Sequence, residues 1–299
     1  ILALTLLILA LMRPQFGQKY TTIDQYGRQL FIVVDTSLSM LAEDGNPTRL
    51  DLVKYHIQQL IPTLDNDFVS LIPYASTATT YLPLTPDLSA LDLFSDTLSV
   101  GMISSSGSNI MDALKTIDQS LKKNRSTEDA IIIIFSDGEF SPKPSPSILS
   151  ELFKGQSVTA IVVGIGAIDG EPIPQRDLNG TIINYKKDAA NQIVLSKRLD
   201  HQLNNLATAL NGTMIIGDQS PLVAEKIYAQ LSQFSTQQLE AQQVITKVDR
   251  YHWILITALS LLIIHLILPQ LSTLITQRAS IYWIPILCIL GQPLFAAHP

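Results

Sequence analysis

One cysteine, Cys288, is present in 299 residues, so the sequence offers neither a disulfide framework nor a paired thiol site. Charge is scarce as well: Asp, Glu, Lys and Arg make up only 15% of the chain. Twenty basic residues against 26 acidic ones leave a net charge of −6, which argues against nucleic acid as a partner. No basic stripe interleaved with aromatics offsets that balance. The five histidines (His56, His201, His252, His265 and His298) are scattered without ligand spacing, so no zinc-type His/Cys cluster exists.

What is plentiful is apolar surface, and it is concentrated at the ends. Residues 1–12, ILALTLLILALM, hold one polar side chain before Arg13-Pro14 stop the run. Twelve helical residues rise only about 18 Å, short of a bilayer core of about 30 Å. Segment 1–13 therefore reads as the second half of a transmembrane helix. A longer run, 252–269, begins beside Arg250, Tyr251 and Trp253, a basic and aromatic anchor, and reads as a full span. A third, 281–297, contains Pro285 and Pro293 and is expected to be a further membrane segment or a signal-like one.

Between about 28 and 217, strand-like and helix-like stretches alternate. LFIVVD (30–35), DFVSLIPYA (67–75), AIIIIFSD (130–137) and SVTAIVVGIG (157–166) are short continuous apolar runs, as expected of strands covered on both faces. ATTYLPLT (78–85) follows its predecessor too closely for a helical crossover and is expected to pair antiparallel at an edge. GTMIIG (212–217) is expected to be the last strand. Thr48-Arg49-Leu50-Asp51 has the spacing of a helix start, and Ile110, Leu114, Ile117 and Leu121 mark another helix. The fold class implied is α/β: a doubly wound, mainly parallel sheet with one antiparallel edge strand, flanked by transmembrane helices. Residues 171–198 read as a hairpin-bearing loop, and 218–250, Gln-rich and polar, as a helical stalk.

In such sheets ligands gather outside the carboxyl ends of the strands, where the strand order reverses. Two buried strands end there in an aspartate, Asp35 after FIVV and Asp137 after IIIIFS. Ser37 and Ser39 follow Asp35 at alternate positions, and Ser108 opens the 110–121 helix. Two carboxylates and three hydroxyls form an all-oxygen donor set suited to a hard divalent cation, Mg²⁺ first and Mn²⁺ or Ca²⁺ next. Alternate spacing lets a chain curl around an ion with Ser37 and Ser39 inward and Thr36 and Leu38 outward. The competing reading is a strand-end turn with capping side chains.

With FIVVDTSLS, a Gly-Ser at a helix start and IIIIFSDG in this order, the sequence resembles the von Willebrand factor A domain and its metal-ion-dependent adhesion site. The resemblance covers 28–217. The family's Asp-x-Ser-x-Ser matches Asp35, Ser37 and Ser39, and its later aspartate matches Asp137. Its intervening threonine falls on Ser108, which keeps the hydroxyl and loses a methyl. LMRPQFG, SMLAEDGNPTRLDLVK, YLPLT and VVGIG followed by GEPIP are similar to the Bat aerotolerance group of bacterial membrane proteins. That similarity implies a membrane-anchored, metal-dependent protein-interaction module facing the periplasm. Such a module is expected to bind an acidic residue of a partner, and other von Willebrand factor A or TPR proteins and a MoxR-type AAA ATPase stand among its expected neighbours.

Four other readings weigh less. An enzyme would use Asp35 as the nucleophile of a Mg²⁺-dependent phosphatase, but the general-acid position is Ser37. GIGAIDG (164–170) is spaced G-x-G-x-x-x-G and lacks a following helix, which points to turn glycines rather than a dinucleotide loop. Glu43 and Asp44 are expected to form a solvated acidic loop beside the site, with accessory ligation as the alternative. Arg13, Lys19 and Arg28 favour a cytoplasmic domain by the positive-inside rule, whereas the family resemblance favours the periplasm.

Overall fold

Two stretches almost without polar side chains, QLFIVVD and AIIIIFS, become neighbouring strands at the centre of one sheet. The computed structural model describes residues 2–22, 25–45, 47–64, 67–103, 107–123, 129–177, 180–234, 237–239 and 243–268. They belong to two units, Asp24–Ala241 and the paired chain ends Ile1–Ile23 with Gln242–Pro299. In the first unit the sheet contains β1 (Gln29–Asp35), β2 (Phe68–Tyr74), β3 (Leu82–Thr85), β4 (Ala130–Ser136), β5 (Val158–Ile165) and β6 (Thr213–Gly217). Their spatial order is β6-β5-β4-β1-β2-β3. All neighbours run parallel except β3, which pairs antiparallel with β2 at the edge. The expected fold class is therefore the one observed.

Side chains alternate between the two faces. Leu30, Ile32 and Val34 of β1, with Ile131, Ile133 and Phe135 of β4, enter one core. Phe31 and Val33, with Ile132 and Ile134, enter the other. Helices α1 (Arg49–Leu60), α2 (Leu88–Asp96) and α6 (Leu222–Leu231) cover the first face, through residues such as Val53, Ile57, Leu91 and Ile227. The opposite face is covered by α3 (Ile110–Lys123), α4 (Pro146–Leu152) and α5 (Asp200–Ala209), through Ile110, Leu114, Leu149 and Leu203. Fully burying one such side chain stabilises the fold by about 1.5–3 kcal/mol, which is why the four consecutive isoleucines of β4 tolerate no solvent-facing side.

Helix α1 starts as its sequence requires: Thr48 Oγ1 accepts the Asp51 N–H at 3.2 Å and donates to the Asp51 carboxylate at 2.5 Å. From β1 the chain moves to β2 on one side and later returns to β4 on the other, so the order reverses between β1 and β4. Residues 171–198 form short strand pairs, Pro174–Arg176 with Ile182–Tyr185 and Glu171–Pro172 with Leu195–Ser196.

The expected helical stalk over 218–250 is corrected. Helix α6 ends at Leu231 and is packed on the core by Val223, Ile227 and Leu231, while Gln237–Leu239 pairs with Gln25–Gly27. Gln243–Asp249, in the other unit, is a strand antiparallel to Gln15–Thr22. The run Val244-Ile245-Thr246, with Val248, is β-branched, and such residues lose rotamer freedom in a helix and fit a pleated surface.

The second unit also holds helix Leu2–Leu11 and helix Tyr251–Leu268, the latter long and apolar enough to cross a membrane and almost wholly exposed. The Arg13 guanidinium carbon lies 5.6 Å from the Tyr251 ring centroid, within cation–π range. The run 281–297 lies outside the described residues.

Candidate metal centre

Asp35 is the last residue of β1 and Asp137 follows β4, so the two strands flanking the reversal deliver both carboxylates to one edge. Both are completely buried. Asp35 Oδ1 accepts the Ser37 N–H at 2.9 Å, a local turn that bends the chain as the strand ends. Its Oδ2 accepts three hydroxyls: Tyr74 at 2.9 Å, Ser108 at 2.9 Å and Ser136 at 3.1 Å. Ser37 Oγ and Ser39 Oγ lie 2.9 Å apart. Thr36 turns its hydroxyl to the Tyr74 carbonyl at 2.9 Å, and Leu38 is partly exposed.

Ser108 is held in place from two sides. Its carbonyl accepts the Ser141 N–H at 2.8 Å, and the next residue, Asn109, donates its N–H to the Ala75 carbonyl at 2.6 Å. Helix α3 then begins at Ile110. The structure thus brings Asp35, Ser37, Ser39 and Ser108 together through direct or shared hydrogen bonds. Asp137 is close enough that its charge acts on Asp35.

The sequence reading missed Arg49. The first residue of α1 is fully buried, and its guanidinium reaches Asp137 Oδ2 at 3.0 Å. It also binds both Asp44 oxygens at 2.7 Å, the Ser196 hydroxyl at 2.6 Å and the Ser196 carbonyl at 3.0 Å. Ser196 comes from the 171–198 segment, so the hairpin region is fastened to the site. Asp44 is not the solvated side chain expected. Its carboxylate is nearly buried against Arg49 and accepts the Ala167 N–H at 2.7 Å, and only Glu43, paired with Arg176, remains half-exposed. Glu139 accepts the Lys197 N–H at 2.9 Å.

Electrostatics follow from burial. Desolvation, with the Asp137 charge second, raises the Asp35 carboxyl to about 6, against the hydrogen bonds from Ser37 and Ser108. Burial also pushes the Tyr74 phenol well above its usual range, with the Asp35 charge in support, so its hydroxyl stays a donor. For Asp44 burial acts upward, but hydrogen bonds from Arg49 and Ala167 and the Arg49 charge outweigh it and hold the carboxyl low. Burial likewise raises the Glu139 carboxyl.

Among the described residues no group of three or more His, Cys, Asp or Glu side chains converges. Any cation here would be met by carboxylates and hydroxyls, a hard-oxygen set. The hydrogen bonding is compatible with that. Ser108 spends its proton on Asp35 Oδ2, which leaves its lone pairs for an ion, and one member of the Ser37–Ser39 pair does the same. The donor set fits a divalent ion.

Residues 30–139 match the von Willebrand factor type A domain family. The sheet order and flanking helices are those of a von Willebrand factor type A fold. Among solved structures, the conserved hypothetical protein BatB from Bacteroides thetaiotaomicron is 28% identical with a TM-score of 0.62, over 69% of this chain and 98% of that one. An aerotolerance-related membrane protein from Bacteroides fragilis, solved with multiple mutations to serines, is 26% identical with a TM-score of 0.63, over 70% and 100%. The likeness to the Bat proteins read from the sequence is thus seen in the fold as well. No curated protein matches the chain.

Proposed function

We propose that this chain is a membrane-anchored, non-enzymatic interaction module whose von Willebrand factor type A domain, about residues 28–217 and extended by α6, binds a partner's acidic side chain through a divalent cation. The observation that carries this reading is the meeting of Asp35, Ser37, Ser39, Ser108 and Asp137 at the carboxyl edge of β1 and β4, in a buried all-oxygen cluster. Asp35 and the three serines would hold the ion, and Asp137 would balance its charge. The ion, Mg²⁺ or Mn²⁺, supplies a Lewis-acidic position open to an outside carboxylate. Asp35 contributes the negative charge, while Tyr74 and Ser136 orient its carboxylate through Oδ2. The hydroxyls add no charge of their own, so the loaded site does not repel an outside carboxylate.

Helix Tyr251–Leu268 serves as the membrane anchor, with segment 1–13 as a second. We assign the domain to the periplasmic side of a bacterial inner membrane and to envelope complexes of the aerotolerance type, with TPR proteins or a MoxR-type ATPase as the class of partner. The description of the Bacteroides fragilis neighbour as an aerotolerance-related membrane protein supports the membrane and aerotolerance parts of this assignment.

Calorimetric titration of Mg²⁺ and Mn²⁺ into the full chain in detergent tests the reading, beside an Asp35→Ala, Ser37→Ala double variant. One-to-one binding lost in a variant with unchanged circular dichroism supports it. A folded wild type that takes up neither ion sinks it.

A further inference from the structure

We propose that Arg49 is a positioning residue that acts as a built-in brake on the cation affinity of this site. The inference rests on the metal reading above and adds what sets the strength of that binding. All five N–H groups of the buried guanidinium are engaged, on Asp44, Asp137 and Ser196. The group cannot lose its charge by deprotonation, so the cation is permanent. Nothing in the start of α1 asks for it. Thr48 already caps the helix, and a cation in the first turn sits at the positive end of the helix dipole. What holds Arg49 there is the pair of carboxylates around it.

Its consequence is a competition. A fixed positive charge 3.0 Å from Asp137 Oδ2 draws on the carboxylate that would balance the ion's charge. Asp35, Asp137 and Asp44 with Arg49 leave two net negative charges in the buried cluster, which one divalent ion neutralises. Without the guanidinium three would remain. The ion would then be gripped more tightly, and the loaded site would stay negative and repel an acidic partner. Arg49 therefore trades ion affinity for an ion-loaded surface that a carboxylate can approach. Asp44 is the counterweight: it touches the guanidinium and partly cancels its field.

Mn²⁺ calorimetry on the full chain in detergent, for wild type, Arg49→Gln, Arg49→Lys and Asp44→Asn, tests this, with circular dichroism to confirm folding. Arg49→Gln is expected to tighten Mn²⁺ by roughly tenfold or more, because it removes one unit charge that sits directly on Asp137. Arg49→Lys keeps the charge but loses the planar fork, and is expected to bind like wild type. Asp44→Asn frees the guanidinium charge and is expected to weaken Mn²⁺ by a comparable factor. A purely structural Arg49 predicts a different result, in which Arg49→Gln and Arg49→Lys lose Mn²⁺ together, and that result overturns the brake. Should Arg49→Gln fail to fold, Asp44→Asn decides, and an unchanged affinity there overturns it equally. Absence of Mn²⁺ binding in every folded protein removes the metal reading and the brake with it. Binding by wild type without the expected order of variants removes the brake alone.

Discussion

Arg49 Nη1 lies 3.0 Å from Asp137 Oδ2, with both side chains wholly shielded from solvent. The pair joins the first turn of α1 to the end of β4 across 88 residues of sequence. With Asp44 and Ser196 also on the guanidinium, three stretches of chain share one cation. Such an arrangement adds little net stability over an apolar replacement of all its members. It is costly to break from one side, because the carboxylates left behind are buried and unpaired.

Arg49→Met is therefore expected to destabilise the domain by about 3–5 kcal/mol. Denaturant unfolding of the full chain in detergent, followed by circular dichroism, measures it. A loss below about 1 kcal/mol would mean that water reaches Asp44 and Asp137 once the side chain is gone.

The metal-free protein and the ion-bound one are expected to respond oppositely to pH. Burial raises Asp35 from 3.8 to about 6, so the folded state holds its proton more firmly than the unfolded chain does. This group's contribution to stability is full below the unfolded value and is lost as pH rises through about 6. An ion needs the ionised carboxylate, so stabilisation by Mn²⁺ grows over the same interval. Melting curves in chelator and in saturating Mn²⁺ should separate increasingly from about pH 5 to about pH 7.5. A constant separation across that range would rule out Asp35 as the group whose ionisation admits the ion.

Tyr74→Phe probes the carboxylate from behind. The phenol donates to Asp35 Oδ2 at 2.9 Å and is fully buried. Its loss is expected to cost about 1–2 kcal/mol. It also removes a donor that favours the ionised form, so the onset of Mn²⁺ stabilisation should move to higher pH than in wild type. An onset that stays in place would show Ser108 and Ser136 to be sufficient.

Much of this site was legible because its signals are local. Asp35, Ser37 and Ser39 lie within five residues, and each buried strand announces itself as a continuous apolar run. Arg49 was not legible for the converse reason. It sits in Thr-Arg-Leu-Asp, which reads as a helix start, and its partners Asp137 and Ser196 lie 88 and 147 residues away. One signal was available. A cation in a first helical turn opposes the dipole, and that mismatch points to carboxylates brought in by the fold. Asp44 was misread alongside it, since an acidic loop is solvated only when no buried cation claims it. The stalk failed differently. Its polar composition suggested a solvated helix, whereas the β-branched run at 244–246 decided the local structure through its strand partner.

Gly166 lies in the glycine-bearing stretch 164–170, where the sequence suggested nothing beyond turn chemistry. Its φ of +101° already favours glycine, and a Cβ there would meet Arg49 Nε at 2.5 Å. Gly155 offers the control, with φ +83° and nothing within 4 Å of an added Cβ. Gly155→Ala should cost only the backbone term, about 1 kcal/mol. Gly166→Ala adds overpacking against a side chain pinned by five hydrogen bonds and should cost about 2–4 kcal/mol in total. Because it displaces the guanidinium without removing any carboxylate, it should also move Mn²⁺ affinity in the same direction as Arg49→Gln. Equal costs for the two glycines, read from denaturant unfolding, would mean that Arg49 can shift aside freely. The guanidinium would then not be the rigid hub that its contacts describe.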